Sequence, residues 1–384
     1  LAQTNNGATT FTGAFASNPQ LIISSGTFTL NSDVATAGDF SLSGGALAGS
    51  GRLSLAGASS WTAGEMSGSG TTVIAASGTL TLAGSTKNLS RALQNNGSAT
   101  WTSGAIAFTA ATFTNNATFS ANSDTTLQAY GGGGTNIFLN TGSFTKNGVG
   151  TLDFFVSSSA VAFSSTGSIT VNNGELRARA GGSSSGSLLI ASGAEYDLGG
   201  THTLTSLAVS GAGTLAQANT GTTTFTGSIT GPLTLAIATG TFVANSSITS
   251  PGSLVLTGGI LSGSGRLAFS GASSWTGGDM IGSGTTVIDP VGSLALAGST
   301  KSLSRALEIH GSALWTAGAI AFNNATLTST GIFTASSDTT LQAYGGGGVN
   351  TFLNSGIFNK NQTGLVDFFV STSAVAFNNS GDVN

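Results

Sequence analysis

Residues 1–170 return as residues 215–384, offset by 214 positions without an insertion or deletion. Leu1-Ala2-Gln3 reappears as Leu215-Ala216-Gln217, and Trp61 and Trp101 reappear as Trp275 and Trp315. The stretch from Asp124 to Tyr130, followed by four glycines, reappears from Asp338 to Gly348. About 60% of the aligned positions are identical, and a long period kept without gaps marks a repeat array. The sequence therefore reads as one copy over 1–214 and a second, incomplete copy over 215–384, continuous with the first. Leu1 corresponds to a mid-segment residue and Asn384 falls inside the second copy, which leads us to expect a window from a longer repetitive polypeptide.

A finer pattern runs inside each copy. Gly26 to Leu30, Gly51 to Leu55, Gly78 to Leu82, Gly142 to Lys146, Gly167 to Val171 and Gly200 to Leu204 each open at glycine. Each then alternates apolar residues with Thr, Ser or another polar residue, the pattern of a short strand with one buried face. No sustained helical spacing of apolar residues is present, and frequent glycine costs about 1 kcal/mol at each helix-interior position. The strands recur every six to ten residues under a coarser beat of about twenty, as when Gly49-Ser-Gly51 returns at Gly68-Ser-Gly70. Three short strands and three turns per beat is the geometry of one coil of a parallel β-solenoid, stacked at about 4.8 Å per coil. A 214-residue copy then holds roughly nine to eleven coils over about 45–50 Å, and the whole chain a rod of about 80–90 Å. A string of immunoglobulin-like sandwiches is the competing all-β architecture, but it lacks the twenty-residue beat and calls for an aromatic core per domain.

Composition agrees with that geometry. Only 6% of residues are charged, against about 25% in ordinary globular proteins. Stacked coils place like residues above one another, so a column of identical charges would repel. Proline, which cannot donate to a ladder, occurs four times, and glycine 59 times. Paired asparagines at 5–6, 95–96, 115–116, 172–173, 323–324 and 378–379 suit corners, where stacked amides can bond to the coil above and below. Phe108, Phe113, Phe119, Phe138, Phe144 and Phe163 read as a core column. Trp61 and Trp101 fit buried strand positions better than an exposed, sugar-stacking platform.

Runs of the type Gly-x-Phe/Leu-x-Leu/Asn, the boxes Trp61-Thr-x-Gly-x-Met66 and Trp101-Thr-x-Gly-x-Ile106, and Ser/Thr/Gly/Asn-rich spacers resemble a known architecture. They are similar to the parallel β-helical stalks of large bacterial surface proteins, the filamentous-haemagglutinin-like and autotransporter-like adhesins. The resemblance covers the chain through pattern and composition, and it transfers no functional residue. It implies secretion to the cell surface and a fibrous, structural or adhesive role. The strict 214-residue super-repeat is stronger than such passengers show.

The sequence excludes several chemistries. A net charge of −4 with ten scattered basic residues, the densest group being Arg177-Ala-Arg179, does not suit nucleic acid. There is no cysteine, hence no disulfide or thiolate chemistry; this suits export without fixing the compartment. No apolar run approaches the roughly 18 residues of a spanning helix. The charged positions kept in both copies are Arg52/Arg266, Glu65/Asp279, Lys87/Lys301, Arg91/Arg305, Asp124/Asp338, Lys146/Lys360 and Asp153/Asp367. We read them as turn residues or coil-to-coil ion pairs, because Glu65 and Asp153 would lie roughly 20 Å apart by the coil rise, too far for paired acid–base work.

His202 and His310 are the two histidines, short of the three or four ligands of a zinc site. His202 reads as outward-facing. The glycine-aspartate nonapeptide of calcium-binding β-rolls is missing. Tyr130 with Gly131 to Gly134, and Tyr344 with Gly345 to Gly348, lack the Lys and Ser/Thr of a phosphate loop; they read as a flexible excursion, with an adhesive contact as the minority reading. Thr-x-Thr pairs at 27–29, 79–81 and 201–203 are too irregular for an ice-binding array. No catalytic, cofactor-binding or metal-binding residue is assigned, and no cofactor. The expectation is an extracellular, non-enzymatic structural fibre whose partners are copies of itself, end-to-end or lateral, or further repeats of the same chain. A glycan- or surface-binding adhesin is the alternative, and a β-helical polysaccharide-degrading enzyme ranks third.

Overall fold

A computed structural model describes every residue except Ser157, Ser158, Pro251, Ser371 and Thr372. Among the described residues every regular element is a β-strand, and nearly all of them pair in parallel. Most strands pair with the third strand on, so three strands make one coil. The chain makes about 17 coils roughly 20 residues apart, a parallel β-solenoid. It divides into two compact units, Leu1–Tyr196 and Asp197–Asn384. That division and the 214-residue sequence period are separate properties of the chain.

In the first unit the strands Ala58–Trp61, Thr79–Leu82, Ser98–Trp101, Thr118–Ala121, Ser143–Lys146 and Ser168–Val171 stack in register. Period-two alternation turns every second residue inward. One inward column therefore runs Leu80, Ala99, Phe119, Phe144, Ile169, and the other Trp61, Leu82, Trp101, Ala121, Lys146, Val171. All four tryptophans are fully buried, as their strand positions led us to expect. The six phenylalanines are in the core as expected, but on three ladders and not in one column: Phe119 stacks on Phe144 at 5.3 Å with rings 6° apart, Phe113 lies 4.9 Å from Phe138 on a second strand, and Phe108 stands on a third. In the second unit Phe333 and Phe358 repeat this stack at 5.7 Å and 7°.

Counting each coil from Thr71–Ile74, its first strand carries a polar column inside the core. Ile74, Asn95, Asn115, Asn140 and Ser165 stand above one another at strand ends. Asn95 Nδ2 donates to Asn115 Oδ1 at 2.7 Å, Asn115 Nδ2 to Asn140 Oδ1 at 2.7 Å, and Asn140 Nδ2 to Ser165 Oγ at 2.9 Å. A primary amide both donates and accepts, so identical residues can stack and satisfy each other while fully buried. Beside it Asn116 Nδ2 donates to Asn96 Oδ1 at 2.7 Å on the outer side, and at the following corner Asn172 Nδ2 donates to Asn147 Oδ1 at 2.8 Å.

The second unit breaks this column. Its register runs Ile288, Ile309, Ser329, Asn354, Asn379. Asn354 donates to Asn379 at 2.6 Å, but Asn354 Oδ1 and Ser329 Oγ are buried without a partner because the serine is too short to reach. A buried acceptor left unpaired costs about 1–3 kcal/mol. Ser329→Asn should start the column as Asn95 does in the first unit and raise unfolding stability by about 1 kcal/mol. Asn115→Ala should lower stability by about 1–3 kcal/mol, and Asn116→Ala on the outer row by much less. Urea unfolding midpoints of the three variants check the ordering.

Candidate functional site

The charged residues retained in both copies divide into three structural classes, and the most conspicuous are inside. Lys87 and Lys301 are fully buried and Arg91 and Arg305 nearly so. Lys87 sits on the inner side of its strand, between Gly64 and Ile106 in the column. Its Nζ donates to the carbonyls of Ala83 at 2.7 Å, Ser85 at 2.9 Å and Ser103 at 3.0 Å. Lys301 repeats the cage with Ala297, Ser299 and Ala317. Arg91 reaches back to Ser67 O at 3.2 Å and Gly51 O at 2.8 Å, and Arg305 to Ile281 O and Gly265 O. The reading of Lys87, Lys301 and Arg305 as turn residues or ion pairs is therefore corrected, whereas Arg91 does sit in the turn between Lys87–Leu89 and Ala92–Asn95, its side chain turned inward. Corner carbonyls fall outside the strand ladders and need donors, and a long cationic stem delivers several from one residue. Burial pushes both lysines down to about 8 and both arginines down to about 10.

Corner positions account for the second class. Asp124 Oδ1 accepts the Val149 N–H at 3.0 Å, one coil on. Asp338 accepts both the N–H and the hydroxyl of Thr363, at 3.2 and 2.9 Å; these bonds, with Lys360 nearby, hold its carboxyl below the usual range. Lys146 turns inward and donates to Gly148 O and Asn173 O; burial lowers its pKa, while Asp124 opposes the shift.

Ion pairs form the third class. Asp153 Oδ2 lies 3.7 Å from both Arg177 and Arg179, and Arg177 Nε bonds Glu175 at 2.5 Å. This is the one convergence of acids and cations in the first unit among the described ion pairs, and at Asp153 it is the coil-to-coil ion pair that the sequence led us to expect. In the second unit Glu308 approaches Arg266 at 3.9 Å and His310 Nε2 at 3.4 Å, with His310 Nδ1 bonded to Thr330 at 2.8 Å. His202 is buried, which corrects its outward reading. It lies two residues before the buried Leu204, and strand alternation places both on the inner side with Thr201 and Thr203 outside. No group of three or more metal-ligating side chains occurs among the described residues.

The third strand of each coil builds an outer face common to both copies. In the first unit the outward column runs Glu65, Asn88, Ala107, Tyr130. In the second it runs Asp279, Ser302, Ala321, Tyr344. Acid and tyrosine stand three coil steps apart, about 14 Å at the strand spacing. Alanine before the tyrosine leaves a depression, a groove of about 410 Å³ in the second unit. Asp279, Ser302, Ser304, Asn323 and Tyr344 supply its polar and aromatic lining.

The glycines after each tyrosine are not the free excursion the sequence suggested. Leu127–Gly132 and Leu341–Gly345 are ladder strands, so the first glycines continue the sheet. A Cβ on Gly345 would lie 2.5 Å from Ala374 O and 2.6 Å from Asn350 Nδ2; one on Gly131 would lie 2.4 Å from Ala160 O. Residues 374 and 160 belong to small antiparallel hairpins, Phe369–Val370 with Ser373–Ala374 and Phe155–Val156 with Ser159–Ala160. The side-chain-free backbone lets each hairpin lie against the tyrosine strand. The turn that follows uses positive φ at Gly133, Gly134 and Gly348. Asn136 Nδ2 and Asn350 Nδ2 close it onto Gly132 O and Gly346 O.

No protein-family profile matches the chain, and no curated protein or solved structure gives a significant match to it.

The buried lysines set a pH dependence. Their ammonium groups titrate near 8 when folded, against an ordinary value of 10.5. Between those values the folded chain releases protons that the unfolded chain still holds, so stability rises with pH across that window. Below about 8 both states are protonated and this contribution is flat. Urea midpoints at pH 7 and pH 10 should differ less in the Lys87→Met/Lys301→Met chain than in the parent; equal pH differences would contradict this account.

Proposed function

We propose that the chain is a segment of a structural, non-enzymatic extracellular stalk or fibre built from stacked β-solenoid repeats. The observation that carries this reading is the in-register stacking within each unit, where coil follows coil through three parallel ladders. Backbone hydrogen bonds point along the stacking direction, so separating two coils breaks three ladders together and exposes a continuous core. The likeness to β-helical stalks of bacterial surface proteins supports the same reading, as does a surface of Ser, Thr, Asn and Gly. Five of the ten basic residues lie in the interior, namely Lys87, Arg91, Lys146, Lys301 and Arg305. That leaves few cleavage points for a trypsin-like protease. Partners on this reading are copies of the chain or further repeats of it.

A second reading, a glycan- or surface-binding adhesin, is favoured by the tyrosine–acid column that both units present. The two are compatible, because a stalk can carry a binding face along its length. Negative-stain images of the native polypeptide should show rods or filaments, and compact isolated particles would overturn the stalk. Turnover assays on acidic polysaccharides should stay blank; activity that disappears on Asp153→Asn would instead establish the enzyme reading.

A further inference from the structure

Two outer faces of the solenoid have had different histories. On the second strand of each coil, Thr81, Thr100, Thr118 and Ser143 of the first copy correspond to Ala295, Leu314, Ile332 and Ile357 of the second. Those four hydroxyls have become apolar, while Thr79, Ser98 and Ser120 keep theirs as Ser293, Ser312 and Thr334; Leu314 and Ile332 are nearly half exposed. Outward positions therefore change freely as long as the inward column holds. On the third-strand face the pattern Glu65–Ala107–Tyr130 has stayed as Asp279–Ala321–Tyr344, with a small polar residue (Asn88 or Ser302) beside the acid. Strand pairing alone does not explain this, because the neighbouring face pairs equally well with four substitutions.

Resting on the adhesin reading of the same face, we infer that this column is a binding groove for a neutral oligosaccharide, present once in each unit. The tyrosine is half-buried at an outward strand position, and Tyr344 lines the groove; an aromatic ring with a polar tip is an amphipathic platform of the kind that packs against the apolar face of a sugar ring. Alanine in the preceding coil clears the space next to it. Asp279, Asn323, Ser302 and Ser304 then offer a carboxylate, an amide and two hydroxyls to the groove. Such groups accept from and donate to ligand hydroxyls in the same way. None of the lining residues is basic, and the acid at one end would repel sulfated or uronic sugars, so the ligand class is neutral. The groove follows the stacking direction over about 14 Å, which suits a short linear oligomer better than a monosaccharide. It is shallow, so each site is weak, with Kd on the order of 1 mM. Repetition along a chain of copies would convert weak sites into firm attachment by multivalency.

Saturation-transfer NMR of the intact chain with linear β-1,4-linked glucose and N-acetylglucosamine oligomers and with mannose oligomers tests this. Spermidine and a heparin oligosaccharide serve as charged controls. At least one neutral oligomer should bind, with its monosaccharide bound more weakly. Tyr130→Ala with Tyr344→Ala should weaken it tenfold or more, while Tyr130→Phe with Tyr344→Phe retains most of the affinity. Asp279→Asn changes little volume and should weaken binding at the second-unit site severalfold, which reads the groove even if the alanine variants lose stability. Either single tyrosine-to-alanine change should halve the number of sites. No neutral oligomer bound, or binding indifferent to all of these changes, would overturn the inference. Spermidine binding lost in Asp279→Asn, with neutral sugars inert, would overturn the ligand class in favour of a cation. These outcomes are read on the dissolved chain and are independent of whether it forms filaments.

Discussion

Parallel stacking of one coil on the next is the constraint from which the rest of the molecule follows. Because the ladder sets each residue over its counterpart, what must be satisfied is a column and not a pair of side chains. Residues that tolerate their own kind above and below can fill a column. Phenylalanines do so by offset and face-on packing, as with Phe119 on Phe144. Asparagines do so by passing a hydrogen bond up the stack, as from Asn95 through Asn140. Charges cannot, and the chain treats them singly. Lys87 and Arg91 are drawn inside and spent on corner carbonyls, so the low charge content and the buried cations have one cause.

Much of this was legible before the structure. Period two gave the strands, the twenty-residue beat gave the coil, and the paired asparagines located corners, with Asn95 and Asn115 turned in and Asn96 and Asn116 out. The buried tryptophans followed from their strand positions. What escaped the sequence has a common physical origin. His202 looked polar and therefore outward, yet its phase was already set by Leu204 two residues on. Lys87, Lys301 and Arg305 also obey their strand phase, and residue type was the weaker guide. The glycines after Tyr130 and Tyr344 resemble a loop because the hairpin that requires them lies thirty residues further along the chain. Contacts at that separation leave no local periodicity.

The candidate groove was the least legible feature, for a related reason. Glu65 and Tyr130 are 65 positions apart, and no motif joins them. Only the register of three successive pairings places them on one face. In a solenoid a surface site is written at intervals of 19 to 25 residues, the variable length of a coil, so even a simple periodicity search blurs it.

That same arrangement explains how such a chain can change its surface without losing its fold. The inward columns are coupled: replacing Asn115 by the serine seen at position 329 strands an acceptor on Asn354 in the next coil. Outward positions carry no such debt, and Thr100 can become Leu314 while Trp101 and Trp315 beside them stay fixed. Duplication therefore yields two units with one interior and separable exteriors. A face that nevertheless keeps its acid, its gap and its ring in both copies is held by something other than the ladder, and contact with a ligand is the constraint that acts from outside.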